Sequence, residues 1–126
     1  MCQTTTPMAR LPFKRFTLRT IAVSGESMSP TFNDGDWLLF RPIDARNTKH
    51  LPSLVGKVIV IERESYPGIH LIKRVTKIVD QGLWVEGDNQ AASTDSRQWG
   101  VITSTELVGV VLLRYRKAKF SVIHNP

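Results

Sequence analysis

A chain of 126 residues, 41% of them hydrophobic, holds enough apolar material for one core and is too short for several domains. Seventeen lysines and arginines against eleven aspartates and glutamates leave a net charge of +6, which suits nucleic acid, anionic lipid or plain solubility and selects none of them. The single cysteine, Cys2, rules out a disulfide framework, and His50, His70 and His124 stand at no metal-ligand spacing, so neither a metal nor another cofactor is expected.

No stretch approaches the ~18 to 20 apolar residues that span a bilayer. Residues 1–16 mix Lys14 and Arg15 with Phe13 and Phe16 but lack the apolar core of a secretory signal, and they read as a flexible basic lead-in. A folded domain is expected over 17–116, followed by a basic tail at 117–126. Residues 17–23 mix β-branched and polar types and predict a first strand. Pro30 and Asn33-Asp34-Gly35 force reversals before an extended run resumes at 36–41. Residues 42–54, carrying Pro42, Asn47 and Pro52, read as a polar surface loop.

Val58, Ile59, Val60 and Ile61 predict a buried strand, and Tyr66-Pro67-Gly68 a turn into a long strand over 69–79. Asp80-Gln81-Gly82 turns the chain into a further strand at 83–86. Residues 87–100 form a loop dense in short hydrogen-bonding side chains, of a length that is often functional. A last strand covers 107–115. No stretch shows a helical period, so the fold class is mostly β: one antiparallel domain with short turns and one long loop.

Ser27 stands in a tight, glycine-led turn between two apolar segments. A serine hydroxyl becomes a useful nucleophile only beside a base. In the strand after the 66–68 turn, residues 69, 71, 73 and 75 share a face, so Lys73 points the same way as Ile69, Leu71 and Val75. Burial there disfavours the ammonium and makes the amine a candidate base near neutral pH. The competing reading is a lysine that reaches past the sheet edge to water. His70 falls on the opposite face, and no Gly-X-Ser-X-Gly elbow exists, because Ser29 takes the place of its second glycine.

With Ser27, Lys73 and the 87–100 loop in view, the sequence resembles the type I signal peptidases, serine proteases that use a Ser/Lys dyad. The match covers roughly 23–115. Ser24-Gly25-Glu26-Ser27-Met28-Ser29-Pro30-Thr31 resembles the family's nucleophile box, and Ile72-Lys73-Arg74-Val75 its general-base box. Gly87-Asp88-Asn89 with Ser93, Asp95, Ser96 and Arg97 resembles the third. The resemblance implies Ser27 as nucleophile, with its main-chain N–H helping to hold the oxyanion, and Lys73 as general base. It implies Ser93 as the hydroxyl that orients the lysine, and Asp95 with Arg97 as a brace for the loop. It also implies an extended peptide substrate with small residues before the cut; Met28, Trp37 and Ile72 are candidates for its pockets.

The chain departs from the pattern at Gly25, where some members carry a second oxyanion donor, and at Lys57, which follows Gly56 where an aspartate is common. The usual N-terminal membrane anchor is also missing from the sequence. Two protease readings follow: a membrane-peripheral signal peptidase acting on preproteins, or a soluble, cytoplasmic maturation protease. The second resembles the short members that process the leader of nickel-type superoxide dismutases. A self-cleaving repressor is disfavoured by the short segment before Ser27 and the lack of any Ala-Gly, and a non-catalytic peptide-binding module by the presence of Ser27, Lys73 and Ser93 together. No aromatic-interleaved basic groove argues for nucleic acid.

Overall fold

A computed structural model describes residues 17–44, 46 and 48–117. The lead-in at 1–16 and nearly all of the basic tail lie outside the described residues. Six strands follow in order: β1 (Arg19–Ala22), β2 (Trp37–Pro42), β3 (Val58–Glu62), β4 (His70–Val79), β5 (Gly82–Glu86) and β6 (Leu107–Arg116). They form one sheet in the order β1-β2-β6-β3-β4-β5, every pairing antiparallel. The last strand in sequence thus lies at the centre, between β2 and β3.

The sheet is covered on both faces at β3, which is why that strand reads as an unbroken apolar run rather than an alternating one. Val58, Ile59, Val60 and Ile61 are all buried. Ile59, Ile61, Val75, Leu83 and Val85 gather in one cluster with Ile102 and Leu107. Val58 and Ile72 join Val23, Met28 and Leu38 in another. Ile59 pairs with Lys73 across β3 and β4, so Lys73 shares the face of the first cluster, as its parity with Val75 requires. Ile69, expected on that face, lies one residue before β4 and is 53% exposed.

Two segments read as loops contain helical turns. Thr48–Leu54 is a 3-10 helix. A 3-10 helix has three residues per turn, so Leu51 and Leu54 stack on one side, and both are buried against the first cluster. Each such leucine contributes about 1.5–3 kcal/mol on burial, which offsets the awkward Pro52. Within 87–100 lies a one-turn helix, α1 (Ser96–Trp99), set off by a capping box: the Asp95 side chain accepts from Arg97 N, and Gln98 reaches back to Asp95 N. Ser96 Oγ accepts from the Val85 N–H at 2.9 Å, fastening α1 to β5.

Candidate active site

Residues 23–36 loop out between β1 and β2, closed at the base by Val23 N to Asp36 O and Gly35 N to Val23 O, both 2.8 Å. Gly25 adopts φ of +90°, a conformation glycine tolerates best, and its N–H donates to Asp34 Oδ1 at 2.8 Å. A tight coil follows, with Ser29 N on Glu26 O and Phe32 N on Met28 O. Ser27 rides on this coil, half-buried, while Met28 beside it is sunk in the second cluster.

The Gly87-Asp88-Asn89 segment clamps the coil from the other side. Asn89 N donates to Ser27 O at 2.8 Å, and Asn89 Nδ2 to Glu26 O at 3.1 Å. Thr31 Oγ1 donates to Asp88 Oδ2 at 2.7 Å, and Arg74 grips both Asp88 oxygens, at 2.8 and 2.7 Å. Sequence reasoning placed Gly87, Asp88 and Asn89 in a motif without giving them this work. Its only linear sign is that Arg74 follows Lys73, putting the Asp88 partner on the opposite face of β4.

Lys73 is 4% exposed. Burial holds its pKa below the ordinary lysine value; the Asp95 charge opposes that shift and the Arg97 charge adds to it. Its Nζ donates to Ser93 Oγ at 3.1 Å, and Ser93 Oγ donates to Asp95 Oδ2 at 2.6 Å. Because the Ser93 proton is committed to Asp95, the serine meets Lys73 only as an acceptor. An amine held through one of its N–H bonds keeps its lone pair for another partner.

Asp95 is fully buried and also accepts from Gly87 N at 2.8 Å, Arg97 Nε at 3.0 Å and Arg97 Nη2 at 2.7 Å. Burial pushes its carboxyl up, but the bonds from Arg97, Ser93 and Gly87 outweigh that and hold it far below the usual range. Gly87 is required here. A Cβ on it would meet the Ser27 carbonyl oxygen at 2.6 Å and collide with Ser93 Oγ.

Ser27 and Lys73 line two cavities together. The larger, about 480 Å³, has Tyr66, Ile69, Leu71, Ala92, Thr94 and Trp99 among its walls. The smaller, about 80 Å³, has Met28 and Ile72 among its walls. Trp37 lines neither; it stands 37% exposed on β2, opposite Ala22 and Arg116. Trp99 was not anticipated. It lies beneath the Arg63 guanidinium, 4.4 Å from the ring centre, and Arg63 is paired with Glu106 at 2.9 Å. Its walls come from segments distant in sequence, which leaves no linear signal.

Among the described residues no group of three or more His, Cys, Asp or Glu side chains could hold a metal, and no helix is long and apolar enough to cross a membrane. The sequence is 29% identical over 115 residues to mitochondrial inner membrane protease subunit 1 of Xenopus tropicalis, covering 75% of this chain and 66% of that protein. It is 30% identical over 123 residues to mitochondrial ATP-independent inner membrane protease subunit 1a of Arabidopsis thaliana, covering 79% of this chain and 71% of that one. The chain therefore spans roughly two thirds of the length of these relatives. The profile of the family described as signal peptidase, peptidase S26, matches residues 5–78 and 76–116, and the chain belongs to that family of peptidases.

Proposed function

We propose that this protein is a serine endopeptidase that removes a signal or leader peptide after small residues, with Ser27 as nucleophile and Lys73 as general base. The observation that carries the reading is the buried Lys73 amine, held by Ser93 and sharing two cavities with Ser27. Neutral Lys73 takes the Ser27 proton as Oγ attacks the scissile carbonyl. It then returns that proton to the leaving amine, and water resolves the acyl-enzyme with Lys73 again as base. The Ser27 N–H meets no acceptor among the described residues, which leaves it available to the oxyanion. The smaller cavity, next to both Ser27 and Lys73, is the natural place for a side chain of the substrate. Both relatives are named as inner membrane proteases, which supports a substrate met at a membrane surface.

The test is cleavage of two peptides, one spanning an Ala-X-Ala exported-protein junction and one a nickel-superoxide-dismutase leader junction, with and without lipid vesicles. Ser27→Ala and Lys73→Met are each expected to lower kcat by at least about a thousandfold. Lys73→Arg is expected not to rescue, because a guanidinium does not give up its proton. Lipid-stimulated cutting of the first peptide supports the membrane-surface reading, and cutting of the second alone, without lipid, replaces it with soluble maturation. Cleavage that survives both substitutions removes the dyad from the mechanism.

A further inference from the structure

Lys57 plays no part in this chemistry. It lines a cavity of about 290 Å³ together with Arg41 of β2 and His50 of the 3-10 helix, over apolar groups of Leu54 and Val110. This cavity shares no lining residue with the two around Ser27 and Lys73. Three separate elements bring these nitrogen-bearing side chains to one cleft.

Arginines outside the cleft differ in pairing: Arg19 and Arg116 also lack an ion pair among the described residues, whereas five others have one. Arg46, Arg63, Arg74, Arg97 and Arg114 each form an ion pair with a carboxylate. Neither Arg41 nor Lys57 has such a partner among the described residues. Asp44, the carboxylate that reaches the cavity, is engaged by Arg46 through Nε at 3.1 Å and Nη2 at 3.2 Å. Two like charges gathered beside a single carboxylate that is already paired repel each other, and an anion between them would turn that repulsion into attraction. Arginine offers a planar fork of donors, lysine a compact charge and histidine a ring N–H, a set suited to the tetrahedral oxygens of phosphate.

We propose that Arg41, His50 and Lys57 form a binding site for a phosphate group, presented either by an anionic phospholipid headgroup or by a soluble phosphate compound. The site is independent of the catalytic reading. The test follows backbone amide resonances of the full chain while inorganic phosphate is added at constant ionic strength. A parallel arm measures co-sedimentation with phosphatidylcholine vesicles with and without phosphatidylglycerol. Arg41→Gln with Lys57→Gln removes the two cations, and Arg19→Gln with Arg116→Gln removes equal charge elsewhere; all four side chains are exposed, and thermal melts check that each variant folds.

Shifts are expected to cluster at Arg41, His50 and Lys57, and the Arg41/Lys57 variant to bind phosphate about tenfold or more weakly while the Arg19/Arg116 variant stays within about twofold. Selective loss in the phosphatidylglycerol arm identifies the lipid headgroup as the source, and selective loss with phosphate alone identifies a soluble compound. Equal weakening by both variants, or shifts scattered over the surface, or no binding in either arm, overturns the proposal.

Discussion

Lys73 can act as a base only while its amine is neutral, and three influences set that balance. Burial favours the neutral form, Asp95 favours the ammonium, and Arg97 works against it. On the proposed mechanism, cleavage rises with pH through the Lys73 pKa, so the acid limb of the kcat/KM profile is expected below the ~10.4 of a free lysine. Asp95→Asn removes the charge that favours the ammonium and leaves Arg97 in place, so the limb is expected at still lower pH. A pH–rate profile measured on that variant decides it, and a limb that moves upward breaks the electrostatic account. Ser93→Ala removes the acceptor that aims the amine together with one donor to Asp95, and is expected to lower kcat about 10- to 100-fold with KM little changed. Ser27, Lys73 and Ser93 stand out in the sequence as candidates because strand parity and three motifs mark them. Asp95 with Arg97, two residues away, reads as a brace for the loop, which is a local pattern. Its bonds to Ser93 and Gly87 exist only once α1 folds back on β5, and spacing alone does not display that.

Short helical turns hold the parts of this sheet protein that strands do not reach. The capping box around α1 aims Asp95 at Ser93, and Gly87 leaves room for the two to meet beside the Ser27 carbonyl. Gly87→Ala puts a methyl against that carbonyl and the Ser93 hydroxyl, and backbone cannot swing aside as a long side chain could. Displacing Ser93 by even a fraction of an ångström misaims Lys73, and activity is expected to fall about a hundredfold while far-UV circular dichroism stays that of the wild type. Unchanged kinetics would show that the loop absorbs the methyl. The 3-10 helix has a different duty. Leu54→Ala is expected to cost about 2–4 kcal/mol in urea unfolding with little change in activity per folded molecule, since Leu54 packs on the first cluster and lines neither cavity beside Ser27 and Lys73. Both turns escaped a reading by helical period because each is too short to repeat one. The Asp95-to-Gln98 spacing was nevertheless a visible capping signal, and Leu51 with Leu54 a visible period of three.

At the scale of the whole molecule, a dry position in the sheet does not suit a charge, and Lys73 occupies such a position. Alternation along β4 made that placement readable from sequence; the central position of β6 was not, because pairing between distant strands leaves no local pattern. The placement has a thermodynamic consequence apart from catalysis. The unfolded chain holds a proton on Lys73 that the folded chain holds less firmly, so between the lowered folded pKa and the ordinary lysine value stability rises with pH. Below the folded pKa the penalty is complete, and above ~10.4 it vanishes, because the amine is then neutral in both states. Lys73→Met fills similar space without a titrating group and is expected to melt higher than the wild type near neutral pH, with the gap closing as pH rises towards 10 and above. Paired thermal melts across that range, referenced to Ser27→Ala to exclude self-cleavage, measure the gap directly. A gap that stays constant with pH would mean the gain comes from packing alone, and a variant that melts lower would mean that the amine's contact with Ser93 stabilises the fold by more than its burial costs.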